Sequence, residues 1–284
     1  MKSILLKILT SLFLTFFVHC SVAQTTAVTD KKIPEFQQIT ELVLPEIVTD
    51  RPDKTESATI IPLKGFQIEC GVMSGNYNFN NSSQKLLLIP NTLFRYGLTK
   101  NIELRLVEQL ISFKNEQTSE ENFGLSDLEL GVKIQILKNP DINTEIAFIS
   151  HLVLPTGAVS ITNGNAGIVN KLAISHSLTK FLDLGYNVGY NYFNTETGYL
   201  TYSVVLGTGI TKRIGAYIET YDEVVEFTDW ISNFDSGITY LVRENLQLDF
   251  SFGVGLNQKM NYFSVGFSWN IPKKQKRNGH NYEL

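Results

Sequence analysis

From Phe181 to Phe193 the chain alternates without interruption. Leu182, Leu184, Tyr186, Val188, Tyr190 and Tyr192 fall on one face, and Asp183, Gly185, Asn187, Gly189 and Asn191 on the other. A period of two sends successive side chains to opposite faces of a β-strand. Asn245–Leu256 repeats the design, setting Leu246, Leu248, Phe250, Phe252, Val254 and Leu256 against Gln247, Asp249, Ser251, Gly253 and Gly255. In Asn261–Ile271 the apolar face is Phe263, Val265, Phe267, Trp269 and Ile271. Strands of a soluble sheet average about five or six residues, and these are about twice that length. One face carries large apolar groups and the other Gly, Asn, Ser and charge. That is the pattern of a wall with lipid outside and water inside, so the fold class expected is all-β, an antiparallel transmembrane β-barrel.

Less regular segments of the same kind begin near Gly65, Leu86, Asn101, Leu125, Ile142, Ile168, Tyr199, Ile214 and Trp230, which brings the expected total to about twelve strands. The connections alternate too. Polar loops are expected at Ser74–Lys85, Lys114–Phe123, Pro155–Gly167, Asn194–Gly198, Val224–Asp229 and Asn257–Met260. Short turns are expected at Gly97–Lys100, Lys138–Asp141, Leu178–Lys180, Thr211–Arg213 and Arg243–Glu244. Short periplasmic turns and longer outer loops are the arrangement of outer-membrane barrels. A small repeat, Leu98-Thr99-Lys100, Leu178-Thr179-Lys180 and Ile210-Thr211-Lys212, marks three of the short turns. The rival fold is a soluble β-sandwich or secreted lectin-like domain, which buries its apolar face between two sheets.

The first residues bear on compartment. Lys2 and Lys7 precede the apolar Ile8–Val18, and Ser21-Val22-Ala23 offers small residues for cleavage, so residues 1–23 are expected to be a signal peptide. Removing it takes Cys20 and leaves Cys70 as the lone thiol, with no intramolecular disulfide to form. No later stretch is long and apolar enough for a membrane helix. Localisation in a bacterial outer membrane is therefore expected, with its lipids as partners. A net charge of −4 gives no support for nucleic-acid binding. Residues 24–63 form an N-terminal periplasmic or plug segment, 64–271 the barrel, and 272–284 a basic C-terminal tail.

Thr49-Asp50-Arg51-Pro52-Asp53-Lys54-Thr55-Glu56-Ser57, followed by Gly65-Phe66-Gln67-Ile68-Glu69, resembles a signature of the outer-membrane proteins grouped with the meta-pathway (MetA-pathway) of phenol degradation, often labelled "transporter". Leu154-Pro155-Thr156-Gly157 at a strand end resembles that family as well. The resemblance implies an outer-membrane barrel with a transport role, and it transfers no binding residues.

On the expected lumen face sit Glu69, Arg95, Glu103, Arg105, Asp127, Glu129, Lys133, Glu145, His151, Lys171, Asp183, Glu219, Asp235 and Asp249, with acids in excess. Rings of charge tune what passes a pore. Mutually paired charges instead brace a narrow barrel, and twelve strands lie between the filled and the open cases. Glu103 and Arg105 are expected to meet Asp127 and Glu129 across adjacent strands. Within the lead-in, Arg51, Asp53, Lys54 and Glu56 are the candidate plug contacts, with Arg51 and Lys54 meeting the acidic wall.

No catalytic residue is assigned. His176 is flanked by Ser175 and Ser177, which point to the opposite face, and no same-face serine follows His151. Metal-ligand spacing is missing, Gly207-Thr208-Gly209 and Gly253-Val254-Gly255 lack a helix to hold a nucleotide, and no cofactor is implied. The leading function is a channel or transporter for small molecules, hydrophobic or aromatic ones among them. The alternatives are a structural or surface-binding barrel with a closed lumen and, third, a lipid-modifying enzyme. Solute and oligomeric state are not specified by the sequence.

Overall fold

The computed structural model describes residues 47–271 apart from 80, 81, 163, 195–197, 226 and 227. The expectations for the signal peptide, for residues 24–46 and for the tail 272–284 fall outside the described residues.

Thirteen strands follow one another: β1 (Phe66–Phe79), β2 (Ser82–Gly97), β3 (Ile102–Asn115), β4 (Glu121–Leu125), β5 (Leu128–Asn139), β6 (Thr144–Leu154) and β7 (Gly167–Ser177). The second half comprises β8 (Leu182–Tyr192), β9 (Tyr199–Gly209), β10 (Ile214–Val225), β11 (Asp229–Arg243), β12 (Leu246–Gly255) and β13 (Met260–Ile271). All pairings are antiparallel between neighbours, and β13 pairs with β1 from Phe66↔Ile271 to Tyr77↔Met260, which closes the barrel. Closure gives every strand but the short β4 a partner on both sides, the condition for strands to cross a membrane.

The thirteen strands build twelve wall positions, because β4 and β5 share one. β5 pairs with β3 from Ile102↔Ile134 to Val107↔Glu129, and β4 takes over from Leu110↔Leu125 to Lys114↔Glu121. The β3–β5 register corrects the expected charge pairing. Arg105 lies opposite Gly131 and Glu103 opposite Lys133, while Glu129 lies opposite Val107, so neither Asp127 nor Glu129 faces Glu103 or Arg105 directly.

The loops are also shorter than the polar composition suggested. β1 and β2 continue through most of Ser74–Lys85, and β10 and β11 leave only residues 226–228 between them. Polar side chains such as Asn76, Asn78 and Gln84 remain strand residues there, since beyond the lipid both faces meet water.

Burial is inverted relative to a soluble protein. Glu69, Arg95, Glu103, Lys133 and Asp235 are fully buried, whereas Val188, Ile218, Ile238, Leu248, Phe263 and Val265 are exposed on the outside. A sandwich would bury the second set, so the inversion decides against the soluble alternative. The threonine repeat becomes three equivalent turns. The amides of Leu98 and Thr99 donate to the Ile102 carbonyl, those of Leu178 and Thr179 to Leu182, and those of Ile210 and Thr211 to Ile214. In each, the threonine hydroxyl accepts the amide two residues on, at 3.1 Å. This side-chain turn competes well with continued strand.

β2 has a register shift between Leu88 and Asn91, at Ile89-Pro90, where proline can give no ladder hydrogen bond. The shift turns Leu86 and Leu88 to the interior, opposite Gly75 and Met73 of β1.

Candidate functional site

Residues 47–64 run inside the barrel, entering and leaving at the end with the short turns. On the way in, the Val48 carbonyl accepts from Gln67 and Arg95. At the far point, Arg51 to Thr55 contact β10, β12 and β13. On the way out, Ala58 donates its amide to Ser175, the Thr59 hydroxyl donates to Glu145, the Ile61 amide donates to Glu103, and Lys64 donates to the Gly97 carbonyl. A segment bonded to strands on all sides of a closed cylinder occupies its interior.

Charge explains how this polar segment is held. On the β1–β7 side, the wall groups clustered around the segment are Arg95, Arg105, Lys133 and Lys171 with Glu69 and Glu103, while Glu129 and Glu145 of the same wall pair with His151 and Lys138. Within that cluster cations outnumber acids by two, and Asp50 and Glu56 of the segment match them. Asp50 Oδ2 lies 2.7 Å from both Arg105 Nη1 and Lys133 Nζ, and 3.3 Å from Arg95 Nη1. Glu56 meets Arg105 Nη2 at 2.5 Å and Lys171 Nζ at 2.7 Å. Within the wall, Arg95 bridges Glu69 at 2.9 Å and Glu103 at 2.8 Å. Burial pushes the Asp50 carboxyl up, but Arg95, Lys133 and Arg105 reverse this and hold it below the usual carboxylate range.

The β10–β13 side is acidic and takes the segment's cations. Arg51 clasps Asp249 through Nη2 at 2.9 Å and Nε at 3.3 Å, and donates to Ser264 at 3.1 Å. Such two-point pairing fixes orientation as well as charge. Its guanidinium lies in a slot between Gly71 and Gly266, which are register partners; a Cβ on either would come within 2.4 Å of Nη2. The amides of Lys54 and Thr55 donate to Glu219 at 2.7 and 2.6 Å, and the Thr55 hydroxyl also contacts that carboxylate. Lys54 Nζ lies 5.6 Å from the centre of the Tyr262 ring, whose hydroxyl donates to Asp235. Asp53 is the misfit: burial together with Glu219 and Asp235 raises its carboxyl well above the usual range.

Glu69, Arg95, Glu103, Arg105, Lys133, Glu145, Lys171, Glu219 and Asp249 thus meet the segment directly. Glu129 and His151 form a side branch. Arg105 Nε donates to His151 Nε2 at 3.0 Å, so Nε2 is the acceptor and Nδ1 faces Glu129 at 2.8 Å. With Nε2 occupied by an arginine, this imidazole activates no serine. Asp127 caps the β4–β5 break by accepting the Gly157 amide at 2.9 Å. Asp183 is exposed at the turn end. His176 lies on the outer face, bonded to Thr144 and Tyr186.

Sequence reasoning missed Asp50, the best-connected carboxylate of the segment. The signal was present in the alternating signs of Asp50, Arg51, Asp53, Lys54 and Glu56. It also missed the apolar lumen residues Met73, Leu88, Ile111 and Met260, because Leu86 and Leu88 sit in an unbroken apolar run whose phase changes at Pro90.

The segment divides the interior. Toward the turn end lies a cavity of about 710 Å³ lined by Val48, Ile60, Ile61, Gln67, Glu145 and Asn270, among others. Toward the loop end lie cavities of about 410 and 380 Å³, which share Lys54, Lys171 and Asn191. Met73, Leu93, Val107, Phe193 and Tyr199 give the smaller one an apolar side. Among the described residues there is no group of acids, histidines or cysteines able to hold a metal ion.

No curated protein matches the sequence. Among solved structures, the COG4313 outer membrane channel from Pseudomonas putida F1 superposes with a TM-score of 0.64 at 11% identity, covering 78% of this chain and 99% of that one. The NanC porin superposes with a TM-score of 0.50 at 10% identity, covering 71% and 100%. At such identities these likenesses concern the fold. The sequence itself matches the family described as "Putative MetA-pathway of phenol degradation" over residues 49–271, from the threonine that opens the charged segment to the last residue of β13, and the chain belongs to that family.

Proposed function

We propose that this protein is an outer-membrane channel that passes small apolar or aromatic molecules passively, with residues 47–62 as its gate. The observation that carries the reading is the divided interior. A belt of paired charges crosses the barrel at mid-height, and roomy cavities flank it on both sides. A polar solute entering the belt competes for groups that already have partners. An uncharged solute occupies the apolar side of the outer cavity without doing so. Cavities of a few hundred cubic ångströms are the usual size for small-molecule sites. The exposed apolar band supports placement in a membrane, and the short turns support a periplasmic end where the segment enters. The family's association with phenol degradation supports an aromatic solute.

A lipopolysaccharide leaflet slows apolar solutes, so the test is uptake of radiolabelled toluene by intact cells with and without the protein. Faster uptake with the protein supports the reading; equal uptake with the barrel folded in the outer membrane refutes it. The closed structural barrel is the second reading, favoured by how completely Asp50, Glu56, Arg95, Arg105 and Lys133 are paired. Planar-bilayer recordings without any opening would favour it.

A further inference from the structure

The lumen is charged at mid-height, yet its outer half carries a continuous apolar strip. Met260 and Tyr262 of β13, Met73 of β1, Leu88 of β2 and Ile111 of β3 are buried against one another, with Tyr77, Leu86 and Tyr221 packed around them. These strands are consecutive in the wall, and Met73↔Leu88↔Ile111 are register partners, so the strip follows from the fold. At a mouth open to water such side chains contribute nothing to a polar pore.

One member does not come from the wall. Ile161 belongs to the loop between β6 and β7, and its side chain packs on the strip. Residues 156–162 hang from the β4–β5 break. Ala158 donates its amide to the Leu125 carbonyl at 2.9 Å, Gly157 donates to Asp127, and Leu128 donates to the Thr156 hydroxyl at 3.1 Å. The contact is close: a Cβ on Gly124 would lie 2.2 Å from the Ala158 Cβ. Ile161 and Thr162 both return their amides to the Ala158 carbonyl, forming a tight turn that aims Ile161 inward. Val159, beside it, is almost wholly exposed.

We infer that this strip is the outer binding subsite for a small uncharged aromatic molecule, and that Ile161 is its displaceable cover. The strip offers sulfur, aliphatic and tyrosine-ring surface, which suits an aromatic solute. It runs toward the cavity lined by Met73, Leu93 and Val107, so a molecule that replaces Ile161 lies on the way to the gate. The cover sits on a loop, so moving it breaks no strand pairing. This rests on the reading that apolar solutes enter the barrel.

The sequence supplies its own reporters. It has three methionines: Met1 lies in the expected leader, and Met73 and Met260 are both in the strip. The full exported protein, labelled with [methyl-13C]methionine and held in lipid nanodiscs, is titrated with toluene, with glycerol as the polar control. Expected are saturable ring-current shifts of both methyl signals with toluene and none with glycerol. Ile161→Ala removes part of the competing side chain and tightens toluene binding by roughly tenfold. Leu88→Asn weakens it by at least as much, and its unchanged barrel signature in circular dichroism confirms folding. Shifts that rise linearly with toluene, or equal affinity in wild type and I161A, overturn the proposal. Faster cell uptake without methyl shifts would leave transport standing and remove this subsite. Saturable shifts without uptake would do the reverse.

Discussion

Asp50→Asn is the sharpest perturbation of the gate. The side chain keeps its shape and loses the charge that three buried cations share at 2.7, 2.7 and 3.3 Å. Glu56, Glu69 and Glu103 remain, so the cluster of Arg95, Arg105, Lys133 and Lys171 is left with one positive charge unmatched among buried side chains. Removing one partner of a buried ion pair costs about 3–5 kcal/mol. Because every 1.4 kcal/mol is tenfold, the ratio of docked to released segment falls by about a hundredfold to a few thousandfold. The upper figure is a ceiling, since release lets water reach Arg95, Arg105 and Lys133. Asp50 belongs to no strand, so the barrel itself stays closed. Single-channel recording in planar bilayers reads the change as open fraction: brief, rare openings for wild type and long ones for D50N. An unchanged open fraction in a folded D50N barrel would refute the idea that charge matching holds the segment in place.

Gly71→Ala or Gly266→Ala should push the Arg51 guanidinium out of its slot and away from Asp249, raising the open fraction without lowering barrel melting temperature by more than a few degrees. Recordings paired with thermal unfolding check both halves. Asp53→Asn should tighten docking at pH 7. The docked Asp53 carboxyl is raised, so its released form ionises first as pH climbs past about 3.9, and ionisation favours release. Wild type and D53N should therefore converge below that pH and diverge above it; parallel profiles across pH 3–7 on a scale of about four units contradict the assignment. Asp50 and Glu56 have the opposite sign, because their docked carboxyls are lowered. Their contribution is complete above the ordinary carboxylate range and is lost as pH falls through their lowered values, so channel opening should increase in strong acid.

The wall was legible because lipid and water impose different chemistry on alternate residues, as in β8 and β12, where nearly every position obeys the rule. Legibility ended where local pattern stopped deciding geometry. β4 and β5 read as one strand near Leu125, since nothing in Gly124-Leu125-Ser126-Asp127 announces a break that is made by the Pro155–Thr162 loop docking across it. Leu86 and Leu88 read as ordinary strand residues, because the phase change at Ile89-Pro90 depends on pairing with β1 and β3. The charged segment had no periodicity to read. Its conformation is determined by partners about 20 to 200 positions away, such as Glu69, Lys133, Glu219 and Asp249. Even so, its alternating signs carried the information that it faces two walls of opposite charge.

The central claim is that residues 47–62 must move for solute to pass. The Ser203 hydroxyl of β9 lies 2.7 Å from that of Thr55, whose own proton goes to Glu219, close enough for a disulfide between cysteines placed at both positions. In a Cys70→Ser background, the double variant T55C/S203C ties the segment to the wall under oxidising conditions and frees it on reduction. Toluene uptake by cells carrying it should fall to the level of cells without the protein when oxidised and recover with reductant. Equal uptake in the locked and unlocked states would contradict the account, for solute would then cross the barrel without the gate.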